Sequence, residues 1–224
     1  MSRKIRFSVG EYYHCYSRGV DKRVVFMDVN DWNRFRDLLY LVNDTSPLRW
    51  GDLQTGPGMT FKNKRNDPLV SVIAYCLMPN HYHLVIREVR KDGVSTFMHK
   101  LGVAYTTYFN AKYERVGNLF VRPFRAKHVK DDIYLKHLIN YVHLNPAELF
   151  ENGWKEGGVV DRDLLKKELL EYEYSSLSDH LRIERPSKTI LDSDELSAFQ
   201  PYSLDRLMSE SAEYYEEMHA FSEN

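Results

Sequence analysis

Cysteine is scarce in this chain, which has only Cys15 and Cys76 among its 224 residues. Each lies in an apolar and aromatic run typical of a β-strand, and neither belongs to a CxxC pair. A disulfide framework and a thiolate zinc site are therefore not expected, because a zinc site of that kind needs four suitably spaced ligands. We expect two reduced cysteines in the core.

Long apolar runs are missing as well. No stretch approaches the roughly 18 to 20 apolar residues of a membrane span, and the start, MSRKIRFSVGEYYH, lacks the apolar centre of a signal peptide. Hydrophobic residues still make up 43% of the chain, which is enough to bury a core in one main domain with an appendage. We expect a globular cytoplasmic protein with no membrane partner.

The formal net charge of −1 hides a strong asymmetry along the chain. Residues 148–224 contain 19 acidic and 8 basic residues, a net charge of −11, which leaves 13 acidic and 23 basic residues, a net charge of +10, in residues 1–147. This division predicts a polyanion-binding domain at 1–147 and an acidic appendage of helices and loops at 148–224. Scattered charge on a solvated surface is the alternative.

The hydrophobic pattern predicts the element order β-α-β-β-α-β-α. The predicted strands cover residues 12–17, 68–78, 81–89 and about 122–129, and the predicted helices cover residues 28–42, 94–113 and 131–146. Pro79 and Asn80 alone separate the second and third strands, so these strands should be antiparallel neighbours. The economical architecture is α+β, a ferredoxin-like antiparallel sheet with helices on one face, followed by a mixed helical appendage.

Two histidines begin the third predicted strand, in MPNHYHLVI. Because His81 and His83 are two residues apart, their imidazoles leave the same face of the strand and can converge on one cation. Hydrogen-bonded histidines also occur in strands without binding metal. A metal site would therefore need a further ligand.

The last predicted helix of the basic part offers such a ligand. Tyr141 and Asn145 are four residues apart and share a helical face, so a nucleophile and an oxygen ligand project together. Two imidazoles and one oxygen leave coordination positions open for phosphate and water, which suits Mg²⁺ or Mn²⁺. The alternative is that Tyr141 is a core residue and that Asn145, before a proline, ends the helix.

A basic and aromatic segment, GNLFVRPFRAKHVK, lies between these two motifs. Its cations could contact phosphates while its aromatic rings stack on exposed bases, although a surface strand with solvated cations would look the same. The candidate DNA-binding residues are Phe120, Arg122, Phe124, Arg125, Lys127 and Lys130, with Arg18, Lys22 and Arg23 near the start of the chain.

These motifs, in this order, resemble the HUH single-tyrosine transposases and, within them, the REP-associated tyrosine transposases. The resemblance rests on YYHCYSRGVDKRVVF, CLMPNHYHLVI, GNLFVRPFRAKHV, YLKHLINYVHLNPAEL and a weaker EYEYSSLSDHL, over roughly residues 10–180. It implies a ferredoxin-like catalytic core in which His81 and His83 bind a metal ion, Tyr141 is the nucleophile and Asn145 is the third metal ligand. Other HUH transposases carry glutamine four residues after the tyrosine, where this chain has Asn145.

The resemblance implies an enzyme that cleaves and rejoins single-stranded or hairpin DNA through a 5′-phosphotyrosine intermediate with Mg²⁺ or Mn²⁺. In the basic segment, Val121 and Pro123 replace the more usual polar and basic residues, which affects the expected DNA contacts. Two alternatives are a metal-dependent phosphodiesterase that activates water and a DNA-binding protein derived from a transposase that no longer cuts. A homodimer is compatible with each of the three.

Overall fold

Four strands form one antiparallel sheet in the computed structural model, which describes residues 5–54, 59–154, 161–198 and 203–210. The strands are β1 (Tyr12–Arg18), β2 (Val70–Met78), β3 (His81–Glu88) and β4 (Arg125–His128). Their order across the sheet is β2-β3-β1-β4, and every neighbouring pair is antiparallel. The predicted α+β class with a ferredoxin-like antiparallel sheet is confirmed.

The helices follow the expected pattern over the same part of the chain. They are α1 (Val29–Leu41), α2 (Gly93–Lys112), α3 (Asp132–Leu144), α4 (Ala147–Phe150), α5 (Arg162–Glu171), α6 (Leu177–His180) and α7 (Ser193–Ala198). Asp28 caps α1 by accepting hydrogen bonds from the backbone N–H groups of Asn30 and Asp31, so the predicted start of this helix is confirmed. The described residues between 45 and 68 form loop and short 3₁₀ turns.

The helices cover both faces of the sheet, which differs from the expectation of helices on one face. Helices α1 and α2 form one core with Tyr75 and Leu84 on one face of the sheet. Helix α3 forms a second core with Ile73 and Val85 on the opposite face. The physical reason lies in β2, every residue of which is buried, because a strand that is apolar on both faces needs cover on both. Helix α3 supplies the second cover.

The residues after Ala147 pack against the same sheet. Leu165 and Leu169 of α5 and Leu177 of α6 join the core beneath α3, and the Tyr174–Ser176 segment hydrogen-bonds to the outer edge of β2. The division into a domain at 1–147 and an appendage at 148–224 stays a prediction. The segment SLDRLMSESAEYYEEM (203–218) also predicts a short helix; residues 204–210 are helical, and the remainder lies outside the described residues.

Both cysteines are buried and unbridged, Cys15 in the core beneath α1 and α2 and Cys76 in the core beneath α3. Burial raises the pKa of the Cys76 thiol well above its ordinary value, which keeps it protonated. Within the described ranges, no helix is both long enough and apolar enough to cross a membrane.

Candidate active site

The two histidines of β3 lie on the sheet face that α3 covers. Their ring centroids are 5.0 Å apart, and His83 is almost fully buried while His81, at the start of the strand, is half-buried. Tyr82 between them points the other way and packs against Phe35 and Phe120. The predicted sharing of one face by His81 and His83 is therefore observed, and their role as metal ligands stays a prediction.

Helix α3 brings Tyr141 to these histidines. It crosses β2 and β3 with Leu138 and Val142 in the core, and this packing sets the Tyr141 ring edge-on to His83, with 5.7 Å between centroids and 89° between planes. The tyrosine is only 2% exposed. The expected proximity of Tyr141 to the histidines is observed, with the phenol inside the structure, and its role as the nucleophile stays a prediction.

Asn145 caps the C-terminal end of α3 and is buried. Its side-chain amide nitrogen donates a 2.7 Å hydrogen bond to the backbone carbonyl of Tyr141, one turn earlier. Since the nitrogen is engaged with the helix, the amide oxygen is the atom that could serve as a metal ligand.

A third histidine, which the sequence analysis did not single out, belongs to the same cluster. His14 of β1 is 6% exposed, and its Nε2 lies 2.8 Å from Nδ1 of His83. Burial, with a smaller contribution from the positive charge of Lys127, lowers the pKa of His14 to about 3, so this imidazole is neutral near pH 7. The alternation YYHCYSR placed His14 on one face of β1, but only the strand register reveals its partner.

Tyr16 is the second residue that sequence reasoning missed. It lies directly opposite His83 in the β1–β3 register, its ring stacks on His83 with centroids 5.7 Å apart, and it is half-buried. Two tyrosines thus flank His83, and Tyr16 is the more exposed of them.

Three of the candidate DNA-binding cations surround this cluster. Arg18 is opposite His81 in the register, Arg125 of β4 is opposite Tyr16, and Lys127 is opposite His14. Because directly opposed residues of antiparallel strands share a face, these cations lie on the same side of the sheet as the imidazoles. The strand register therefore surrounds the histidines with positive charge.

Lys22 and Arg23 lie in the turn that follows β1, beside the connection between β2 and β3. The backbone N–H of Gly19 donates to the carbonyl of Asn80 (2.8 Å), and the Asn80 side-chain nitrogen donates to the carbonyl of Lys22 (3.2 Å). The Asn80 side-chain oxygen lies 2.7 Å from Nδ1 of His81. This turn is therefore adjacent to the first histidine.

The remaining candidates are placed differently. Arg122 and Phe124 line a cavity of about 360 Å³ between α2 and residues 120–124, and Lys130 is exposed just before α3. Phe120 is 6% exposed and packs against Phe35 and Tyr82 in the core. Because this ring belongs to the α1–α2 core and also lines the same cavity, little of it is exposed for base stacking, and its predicted contact with DNA stays a prediction.

The donor atoms present fit a divalent cation. In the described part of the chain no group of three or more His, Cys, Asp or Glu side chains is placed to hold a metal ion, so an ion would need His81, His83 and a neutral oxygen such as that of Asn145. Nδ1 of His81 bonds to an amide oxygen, and metal-binding histidines commonly use their second nitrogen in this way.

The sequence and the fold were compared with those of known proteins. Residues 51–145 match the family model of the IS200-like transposases. This match confirms the resemblance to transposases predicted from the sequence, and the matched IS200-like segment contains both histidines of β3, Tyr141 and Asn145. A search among curated proteins found no match.

The IS200-like segment sits in a fold that is also known from a solved structure. A REP-associated tyrosine transposase bound to a REP hairpin aligns with a TM-score of 0.50 and 14% sequence identity, over 84% of this chain and 90% of that chain. The two proteins share their fold, and the alignment covers a larger part of this chain than the IS200-like segment does.

Proposed function

We propose that this chain is a DNA transposase that cleaves and rejoins single-stranded or hairpin DNA through a 5′-phosphotyrosine at Tyr141. The observation that carries the proposal is the Tyr141 ring lying perpendicular to the His83 ring, with 5.7 Å between centroids, within the segment that matches the IS200-like transposases. The hairpin bound to the structurally similar transposase supports hairpin DNA as the substrate class.

A divalent cation, Mg²⁺ or Mn²⁺, would be held by His81, His83 and the amide oxygen of Asn145. When bound, it would polarise the scissile phosphate and favour ionisation of the attacking phenol. The protein positions the reacting groups, since β3 fixes both imidazoles and α3 fixes Tyr141 beside them.

In the cleavage step the phenolic oxygen of Tyr141 attacks the phosphorus in line with the leaving oxygen. A P–O bond to the tyrosine forms, the P–O3′ bond breaks, and the phenol proton passes through solvent to the departing 3′-oxygen. A 3′-hydroxyl and a 5′-phosphotyrosine remain. The reverse attack by another 3′-hydroxyl rejoins DNA and regenerates the phenol, so no ATP is needed.

The surrounding cations would hold the DNA backbone across this site. Arg18, Arg125 and Lys127 lie on the same face as the imidazoles, where their charges attract phosphates. Tyr16, half-buried above His83, offers an aromatic face on which an unpaired base can stack.

The 2% exposure of Tyr141 favours a second candidate function, that of a DNA-binding protein that does not cut. A phenol enclosed in this way must become accessible before a phosphate can meet it, whereas a non-cutting DNA-binding protein would need no such rearrangement. The experiment below separates the two functions.

The test uses hairpin oligonucleotides with randomised single-stranded flanks, incubated with the protein and Mn²⁺ and then denatured in SDS. An adduct that carries the 3′-terminal label but not the 5′-terminal label, together with mass spectrometry of the peptide containing Tyr141, would establish a 5′-phosphotyrosine. Tyr141→Phe should form no adduct, while the matched variant Tyr16→Phe should still form it.

Each other outcome rejects the proposal in a defined way. Hairpin binding without adduct or cleavage would indicate the non-cutting protein. Cleavage without adduct would indicate a phosphodiesterase that uses water. Undiminished adduct in Tyr141→Phe would place the nucleophile elsewhere.

A further inference from the structure

His14 contacts one of the two proposed metal ligands directly. Its Nε2 lies 2.8 Å from Nδ1 of His83, the rings are nearly parallel with centroids 5.1 Å apart, and both side chains are buried. A neutral imidazole has one donor and one acceptor nitrogen, so exactly one of the two rings donates the hydrogen in this bond.

The direction of this hydrogen bond decides what His83 can do. When His83 donates from Nδ1, its lone pair is on Nε2, which can then bind a cation. When His14 donates, Nε2 of His83 carries the hydrogen and cannot bind a cation. The tautomer of His14 therefore determines whether Nε2 of His83 carries a lone pair or a hydrogen.

His81 shows which direction is consistent with a metal site. Its Nδ1 bonds to the Asn80 side-chain oxygen at 2.7 Å, and an amide oxygen can only accept. His81 thus donates from Nδ1 and carries its lone pair on Nε2. Because Nδ1 of His83 faces His14, the other ring nitrogen, Nε2, is the one that can bind the same cation. Binding through Nε2 requires the hydrogen of His83 to be on Nδ1, and the acceptor for that hydrogen is His14.

We infer that His14 is a positioning residue that accepts a hydrogen bond from Nδ1 of His83 and so presents Nε2 of His83 to the metal ion. This inference rests on the proposed function, since it assumes that a divalent cation binds at His81 and His83. A purely structural role, in which His14 only fills space beside Tyr16, is the competing explanation.

The first measurement needs no variant. In protein labelled with ¹⁵N-histidine, two-bond ¹H–¹⁵N spectra report which ring nitrogen of His83 carries the hydrogen. We expect the Nδ1-protonated tautomer of His83 in the metal-free protein. A His83 protonated at Nε2 would overturn the inference.

The second measurement is Mn²⁺ affinity, determined by calorimetry and electron paramagnetic resonance. His14→Phe keeps an aromatic ring but no acceptor, and should weaken Mn²⁺ binding by about 10- to 100-fold, the usual effect of removing such an outer partner. His14→Gln, whose amide oxygen can reach the place of Nε2, should restore affinity to within about 10-fold and restore the His83 tautomer.

His180→Phe is the matched control. His180 donates a hydrogen bond from Nε2 to the backbone carbonyl of Ile73 in a partly buried position, and its ring packs against His143. It should lower thermal stability without changing Mn²⁺ affinity. Equal Mn²⁺ affinities for the parent and for folded His14→Phe would overturn the inference.

These readouts separate the inference from the proposed function. Tight Mn²⁺ binding that depends on His14, with no protein–DNA adduct, would uphold the positioning role and reject the transposase chemistry. Adduct formation that does not depend on His14 would uphold the chemistry and reject the positioning role. A parent protein that binds no Mn²⁺ would reject the inference.

Discussion

Replacing Arg125 and Lys127 together by glutamine should change how DNA binding responds to salt. Both residues project from β4 on the face that carries the imidazoles, opposite Tyr16 and His14. Each lost phosphate contact lowers the slope of log K against log salt by about 0.7 on single strands, so the double variant should lower it by about 1.4. Between about 50 and 200 mM salt, a fourfold change, the variant should therefore lose about sevenfold less affinity than the parent.

The assay is fluorescence anisotropy with a labelled single-stranded oligonucleotide at several salt concentrations. Lys91→Gln is the control, because Lys91 is exposed beyond the end of β3 that is distant from His81 and should leave the slope unchanged. An unchanged slope in the double variant would show that DNA does not lie across this face. A change in Lys91→Gln half as large as that in the double variant would show that only the overall charge matters.

Three further predictions concern folding. Phe120→Ala should reduce the free energy of unfolding in urea by about 3 to 5 kcal/mol, because it empties a core position, and an effect on DNA affinity alone would contradict this. Gly102→Ala should raise the free energy of unfolding by about 0.5 to 1 kcal/mol, since its methyl group meets open space. Gly19→Ala should lower it by about 1 to 3 kcal/mol, because its methyl group would meet the Arg23 carbonyl. Changes of the same sign in both variants would refute the contact geometry. Burial alone would raise the pKa of Asp31, but hydrogen bonds from a lysine, two tyrosines and a backbone N–H hold it below its ordinary 3.8. Its contribution to stability is therefore present above about pH 4 and lost as the pH falls further, so Asp31→Asn should flatten the acid-induced loss of stability seen by circular dichroism.

Local sequence patterns predicted most of the fold. Alternation and helical spacing predicted the bounds of β1, β2, β3, α1, α2 and α3 to within about two residues. These elements were predictable because each helix buries a regular apolar stripe and each of these strands is largely apolar. The position of α3 was missed, although β2, apolar in nearly every residue, already required cover on both faces. That second cover is what brings Tyr141 to the histidines.

Contacts that depend on strand register could not be predicted in the same way. His14 and Tyr16 meet His83 only because β1 is paired with β3 in one particular register, and no local pattern specifies that pairing. The aromatic residues of the basic segment show the same limit. Phe120 and Phe124 line the same cavity, but Phe120 is a buried core residue and Phe124 is a partly buried residue that packs against that core.

The Tyr174–Ser176 segment hydrogen-bonds along β2, which is the outermost strand on its side of the sheet. An exposed outermost strand with apolar residues on both faces would recruit strands from other molecules. A shortened protein ending near Ala147 should therefore self-associate and precipitate. For the same reason, a dimer of the full chain cannot form by joining two sheets through β2 unless this segment first detaches.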